Sequence, residues 1–95
     1  MTEKEIINGC IREEKSCQRA LFSMYAGKML TVCRRYARHQ AEAEDMLQDA
    51  FIKVFANLKQ FNFQGSFEGW IRRIVVNTAL KSIKKSSFRN EQIGV

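Results

Sequence analysis

The chain has 95 residues, no proline, 45% hydrophobic residues and a formal net charge of +6, with an isoelectric point near 9.6. That is one small domain, too apolar to be disordered throughout and short enough to bury only about 60–65% of its unfolded surface. The positive balance points to an anionic partner, nucleic acid first and an anionic membrane surface second, although ribosomal, chaperone and structural domains share it.

The three cysteines, Cys10, Cys17 and Cys33, are an odd number without a CxxC pair, which argues against a disulfide scaffold or a tetrahedral zinc site. They read as small buried hydrophobes in a reducing compartment. The N-terminus, MTEKEIING, is charged and lacks the apolar stretch of a signal peptide. No apolar run approaches the roughly 18 residues of a membrane span, so a soluble, cytoplasmic protein is expected.

A first short helix is expected over residues 3–14. Thr2 and Glu5 have capping-box spacing, and Ile6, Ile7, Cys10 and Ile11 give it an apolar stripe that Gly9 weakens. A second helix is expected over 17–38, capped by Ser16. Leu21, Phe22, Tyr25, Met29, Val32, Cys33 and Tyr36 follow the three-and-four spacing of a buried face. Arg34, Arg35, Arg38 and His39 crowd its end, where the helix dipole favours cations.

The third helix, 41–58, has the clearest core stripe: Ala43, Met46, Leu47, Ala50, Phe51, Val54, Phe55 and Leu58. Glu42, Glu44 and Asp45 suit the first turn of a helix. Asp49 lies a turn further on, four residues from Asp45 and next to Gln48. Like charges at that spacing cost a few tenths of a kcal/mol, about 0.2–0.5, unless a basic partner offsets them.

A glycine-containing aromatic loop, 59–65, then leads to a fourth helix, 66–89, capped by Ser66 with Glu68 in its first turn. Trp70, Ile71, Ile74, Val75 and Ile83 can point inward. Arg72, Arg73, Asn77, Lys81, Lys84 and Lys85 fall elsewhere around the helix. At their simplest, Phe61, Phe63 and Phe67 plug the top of the core. Beside a basic helix they also suit unstacked bases, with Asn62, Gln64 and Ser66 near the base edges and the downstream cations on phosphates. The unit is therefore expected to be all-α, a compact bundle of three to four helices. Residues 1–15 form a short N-terminal helix, 16–90 the helical domain, and 91–95 a frayed tail or the start of a linker.

Catalytic constellations are absent from the sequence. The single histidine, His39, sits at a helix end and reads as a solvated or capping side chain. There is no HExxH, P-loop, GxGxxG or GxSxG motif. The chain is not expected to be an enzyme, and no metal or cofactor is implied. An acidic surface on one helix and a basic surface on the next instead suit an adaptor that holds a basic protein and a nucleic acid together.

The string AEAEDMLQDAFIKVFANLKQF followed by GSFEGWIRRIVVNTAL, with LFSMYAGKMLTVCRRYA upstream, resembles region 2 of the sigma-70 family, in its extracytoplasmic-function (ECF) group. The resemblance covers about residues 21–85. It implies that Asp45, Gln48, Asp49 and Ile52 meet core RNA polymerase at the basic coiled coil of the β′ clamp. It further implies that Phe61, Asn62, Phe63, Gln64 and Ser66, with Arg72, Arg73, Asn77, Lys81, Lys84 and Lys85, take up the non-template strand of the promoter −10 element. An extruded base would be held at the loop, and an anti-sigma factor is a possible further partner.

Three departures qualify the resemblance. Housekeeping members carry paired aromatics where this chain has Gly69-Trp70, so Trp70 reads as a core anchor rather than a wedge, and melting leans on the loop. Lys81 and Lys84 stand where ECF members often have aspartate and arginine, which limits those two to phosphate contact. Members of the group also carry a −35-binding helix-turn-helix domain, which this sequence lacks, so a fragment of a longer protein is expected rather than a stand-alone relic. The alternatives are a generic basic helical module that binds nucleic acid or protein, and a decoy that binds the protein partner alone.

Overall fold

The computed structural model describes the backbone of residues 1–93 and the side chains of residues 1–85. It has α1 (Glu3–Ile11), α2 (Lys15–Arg34), α3 (Gln40–Ala56), the single turn α4 (Leu58–Phe61) and α5 (Phe67–Ile93). The expected all-α bundle is observed, four longer helices and one short turn. α2 is central: it packs on α1, α3 and α5, while α3 also packs on α5 and α4 touches α1.

Ile7, Leu21, Met29, Cys33, Val54, Ile71 and Val75 form the fully buried centre, one stripe drawn from every long helix. All three cysteines lie in this core and are free thiols. Burial pushes the Cys10 thiol up to about 11. Among the described residues no helix is long and apolar enough to cross a membrane, and no cluster of ligands for a metal occurs.

The helix ends explain where expectation and structure part. Thr2 caps α1 by accepting the Glu5 amide at 3.2 Å, but the Glu5 carboxylate takes the Thr2 hydroxyl proton instead of completing the box on the backbone. α1 stops at Ile11, short of the expected Glu14. Glu13 adopts a left-handed φ of 64°, and the Glu13 and Glu14 amides donate back to Cys10 and Gly9, each at 2.9 Å. This is a Schellman turn with glutamate in the position glycine usually fills. It makes Glu14 the N-cap residue of α2, so Ser16 lies inside the helix and is not its cap.

Gly9 does more than weaken α1. It is buried against α2, and a Cβ there would lie 2.8 Å from Cys17 Cβ and closer still to its sulfur. α2 ends at Arg34, short of residue 38. His39 instead caps α3, its Nδ1 accepting the Glu42 amide at 3.2 Å. Asn57 interrupts the predicted third helix with φ −116°, and α4 then turns Leu58 and Phe61 into the core.

Ser66 Oγ accepts the Gly69 amide at 3.1 Å and starts α5 as expected. α5 continues past Arg89 to Ile93, so the backbone of residues 91–93, expected to fray, is helical; residues 94–95 lie outside the described residues. Ala79 is its last buried side chain among the described residues. Ile83, expected to point inward, is exposed, as is Leu80, because α5 has by then left the core.

Candidate functional site

The acidic surface lies on the outer side of α3. Met46, Leu47, Ala50, Phe51 and Val54 point into the core, which leaves Asp45, Gln48, Asp49 and Ile52 outward, Ile52 with 61% of its surface exposed. The acidic residues differ in what they do. Arg38 donates its backbone amide to Glu42 at 3.0 Å and its guanidinium at 3.1 Å, and these bonds hold the Glu42 carboxyl below its usual range. Glu44 accepts from Gln40 at 3.1 Å. Asp45 and Asp49 have no ion-pair partner among the described residues. An exposed isoleucine beside two free carboxylates is a surface suited to a basic, partly apolar helix.

The loop before α5 is built on an aromatic floor. Phe61 and Phe67 are buried, 5.0 Å apart at their ring centroids. Trp70, partly buried, stacks on Phe67 at 5.7 Å and 18° and lies 5.6 Å from Phe61. It is the core anchor the sequence suggested. Tyr25 abuts Phe67 from α2 at 5.7 Å.

Phe61 is buried with Phe63, Phe67 and Trp70 around its ring at 5.0–5.7 Å, which fits the core-plugging reading of this residue better than a stacking role. Phe63 is the aromatic left in the open, 44% exposed. Asn62, Gln64 and Ser66 are exposed beside it. Asn62 and Phe63 both adopt φ 55°, and Gly65 adopts φ 78°. Asparagine and glycine tolerate the left-handed region; for phenylalanine it stores strain of about 1–2 kcal/mol. Lys4 Nζ lies 5.6 Å from the centroid of the Phe63 ring.

The predicted basic residues of α5 are exposed but do not share one surface. Arg72 turns toward α2, where it lines a groove of about 330 Å³ with Lys28, Thr31, Arg35, Tyr36 and Val76. Glu68 spans the groove's end, 3.0 Å from Lys28 and 3.5 Å from Arg72. Asn77, Lys81 and Lys84 lie farther along with Leu80 and Ile83. Arg73 and Lys85 are also solvent-facing.

The sequence did not place Lys28, Thr31 and Arg35 beside Arg72, where the structure brings them together. Arg35 has a sufficient explanation as a cation at a helix end, and a lone Lys28 carries no pattern. Their signal was present in the three-and-four spacing of Lys28, Thr31 and Arg35, a polar stripe beside the apolar one. Tyr36, expected in the buried face, is half-buried and lines the groove.

These features can be set beside known proteins. Residues 21–89 match the family described as Sigma-70 region 2. The ECF RNA polymerase sigma factor SigW of Bacillus subtilis is 32% identical over 65 residues, covering 68% of this chain and 35% of that protein. The ECF RNA polymerase sigma-E factor of Haemophilus influenzae is 28% identical, covering 98% of this chain and 50% of that protein. The chain thus spans half or less of the length of these relatives. An engineered region 2 of sigmaE, solved by NMR in complex with GTAAAA, superposes with a TM-score of 0.85 at 26% identity, over 94% of this chain and 93% of that one. With the family match running through most of the sequence and the helices arranged alike, this chain belongs to the sigma-70 region 2 family, among relatives of the ECF group.

Proposed function

We propose that this chain is the part of a cytoplasmic transcription initiation factor that joins core RNA polymerase to the promoter −10 element. Asp45, Gln48, Asp49 and Ile52 dock on the basic β′ clamp coiled coil of the polymerase. The loop takes an extruded non-template base against Phe63, with Asn62, Gln64 and Ser66 at its edges. Lys28, Arg35 and Arg72 hold the adjoining phosphates, and Asn77, Lys81, Lys84 and Lys85 hold those farther along α5. Catalysis remains with the polymerase, and an anti-sigma factor would act by covering the α3 surface.

The observation that carries this reading is the exposed, strained Phe63 at the head of the helix whose Arg72 meets Lys28 and Arg35 across a groove. An exposed ring preceding a helix that carries a cation-lined groove offers single-stranded nucleic acid both a stacking face, worth about 1–3 kcal/mol per base, and phosphate contacts. That the engineered sigmaE region 2 sharing this fold was solved in complex with GTAAAA supports a nucleic-acid ligand.

The test is selection of single-stranded DNA from a random pool, together with capture of core polymerase by the wild type and by Asp49→Lys. Enrichment of one short motif, and capture lost in the variant while DNA binding persists, are expected. Salt-labile binding with no motif and no capture would leave only a basic helical module.

A further inference from the structure

α1 lies outside the residues that match the family, yet its first turn reaches the loop. Three contacts set its position. Thr2 caps its N-terminus, Tyr25 of α2 donates its hydroxyl proton to the Glu3 carboxylate, and Ile6, Ile7 and Cys10 enter the core. Tyr25 also touches Phe67 beneath the loop, so one side chain registers α1 against the base of α5.

Lys4 stands between two carboxylates in sequence and pairs with neither. Glu3 is engaged by Tyr25 and Glu5 by Thr2. Lys4 has no ion-pair partner among the described residues. Its ammonium lies instead over the half-exposed ring of Phe63, at the distance of a cation–π contact. An unpaired cation over an exposed aromatic is a natural place for an anion that arrives attached to a flat ring.

We propose that Lys4 is a nucleic-acid-binding residue: its ammonium contacts a phosphate of the nucleotide whose base meets Phe63, and α1 thereby forms one wall of the loop site. The proposal rests on the reading of the loop as a single-strand site. Base and phosphate then bind as one unit, the ring to Phe63 and the phosphate to Lys4. α1 sets the distance between the two contacts through Tyr25.

The experiment measures fluorescence anisotropy of a labelled single-stranded DNA carrying the motif the wild type selects, across a salt series, for wild type, Lys4→Gln and Lys4→Arg. Lys4→Gln is expected to weaken binding about three- to tenfold and to reduce the salt slope by about 0.7, the loss of one phosphate contact to a single strand. Lys4→Arg should restore both, because the charge returns. A purely structural role would lower the melting temperature and leave the slope alone; should Lys4→Gln melt early, Lys4→Met keeps the apolar stem over Phe63 and carries the comparison.

Wild-type affinity and slope in Lys4→Gln would overturn the proposal while leaving the loop reading intact. A wild type that selects no motif would remove the loop reading, and this proposal with it.

Discussion

Lys28 of α2 and Glu68 of α5 meet at 3.0 Å across the head of the basic groove, so a carboxylate stands among the cations that would receive phosphates. The pair lies at the surface, with Lys28 exposed and Glu68 partly so, and such pairs contribute about 0–1 kcal/mol to stability. Glu68→Gln should therefore leave the melting temperature nearly unchanged and raise single-strand DNA affinity about two- to fivefold at low salt, the gain fading as salt screens the groove. Anisotropy titrations at two ionic strengths decide it; an affinity indifferent to the substitution would place the DNA path elsewhere.

Phe63 is held at φ 55°, where a bulky side chain is disfavoured and glycine is not. Phe63→Gly should relieve about 1 kcal/mol of strain and lose a comparable amount of packing against Phe61, leaving stability within about 1 kcal/mol of wild type. Binding of single-stranded DNA should fall about tenfold or more through loss of the stacking face. Denaturant melts and binding titrations on the same variant separate the two effects. A variant that binds normally would remove Phe63 from the site.

Glu13 occupies the left-handed position of the turn between α1 and α2. Glu13→Gly should stabilise the protein by about 1 kcal/mol, a rise of about 4–8 °C in melting temperature for a domain of this size. A fall in melting temperature would mean that the glutamate side chain contributes more than its backbone costs.

Gly9 against Cys17 leaves no room for a methyl group. Gly9→Ala should cost about 1–3 kcal/mol as α1 is pushed from α2. The penalty should shrink in a Cys17→Ala background, which removes the sulfur but keeps the Cβ, and a double-mutant cycle measures the coupling. Strict additivity would show that the two residues do not touch.

The Glu42 carboxyl is held below its usual range by the Arg38 amide and guanidinium, and the Glu14 carboxyl by Arg12. A carboxylate whose folded pKa is depressed contributes stability that is complete above its ordinary value and is lost as pH falls through the folded value. The melting temperature should therefore decline as pH drops below about 4.5, the ordinary carboxyl value. Glu42→Gln should start lower at neutral pH and decline less steeply. Parallel curves for the two proteins would assign the acid limb to other groups.

Much of this fold is legible in the sequence because long apolar stripes leave few alternatives. The stripe from Ala43 to Leu58, which runs through α3 and into the first residue of α4, is core throughout, apart from the partly exposed Phe55, and the outward side of α3 follows from it by subtraction. The boundaries were harder. Glu13 in a left-handed conformation and Glu14 before α2 have no residue signature, since glycine and serine are what these positions usually show. The groove was hidden for a different reason: Lys28 and Arg72 come together only once α2 and α5 cross, and no local pattern records the crossing. Phe61 and Phe63 share a residue type and lie two positions apart, and only the backbone turn between them decides that one is floor and the other is surface.

The core places α1 inside the folding unit, although the family match begins at residue 21. Ile6, Ile7 and Cys10 cover Cys17 and its neighbours on α2, and Glu3 occupies the hydroxyl of Tyr25. A polypeptide begun at Leu21 would keep every matched residue and still bare one flank of its central helix to water. A stable piece of this protein should therefore include α1 as well as the residues 21–89 that match the family. Where recombination or proteolysis separates the two, the recognisable part should be the one that aggregates.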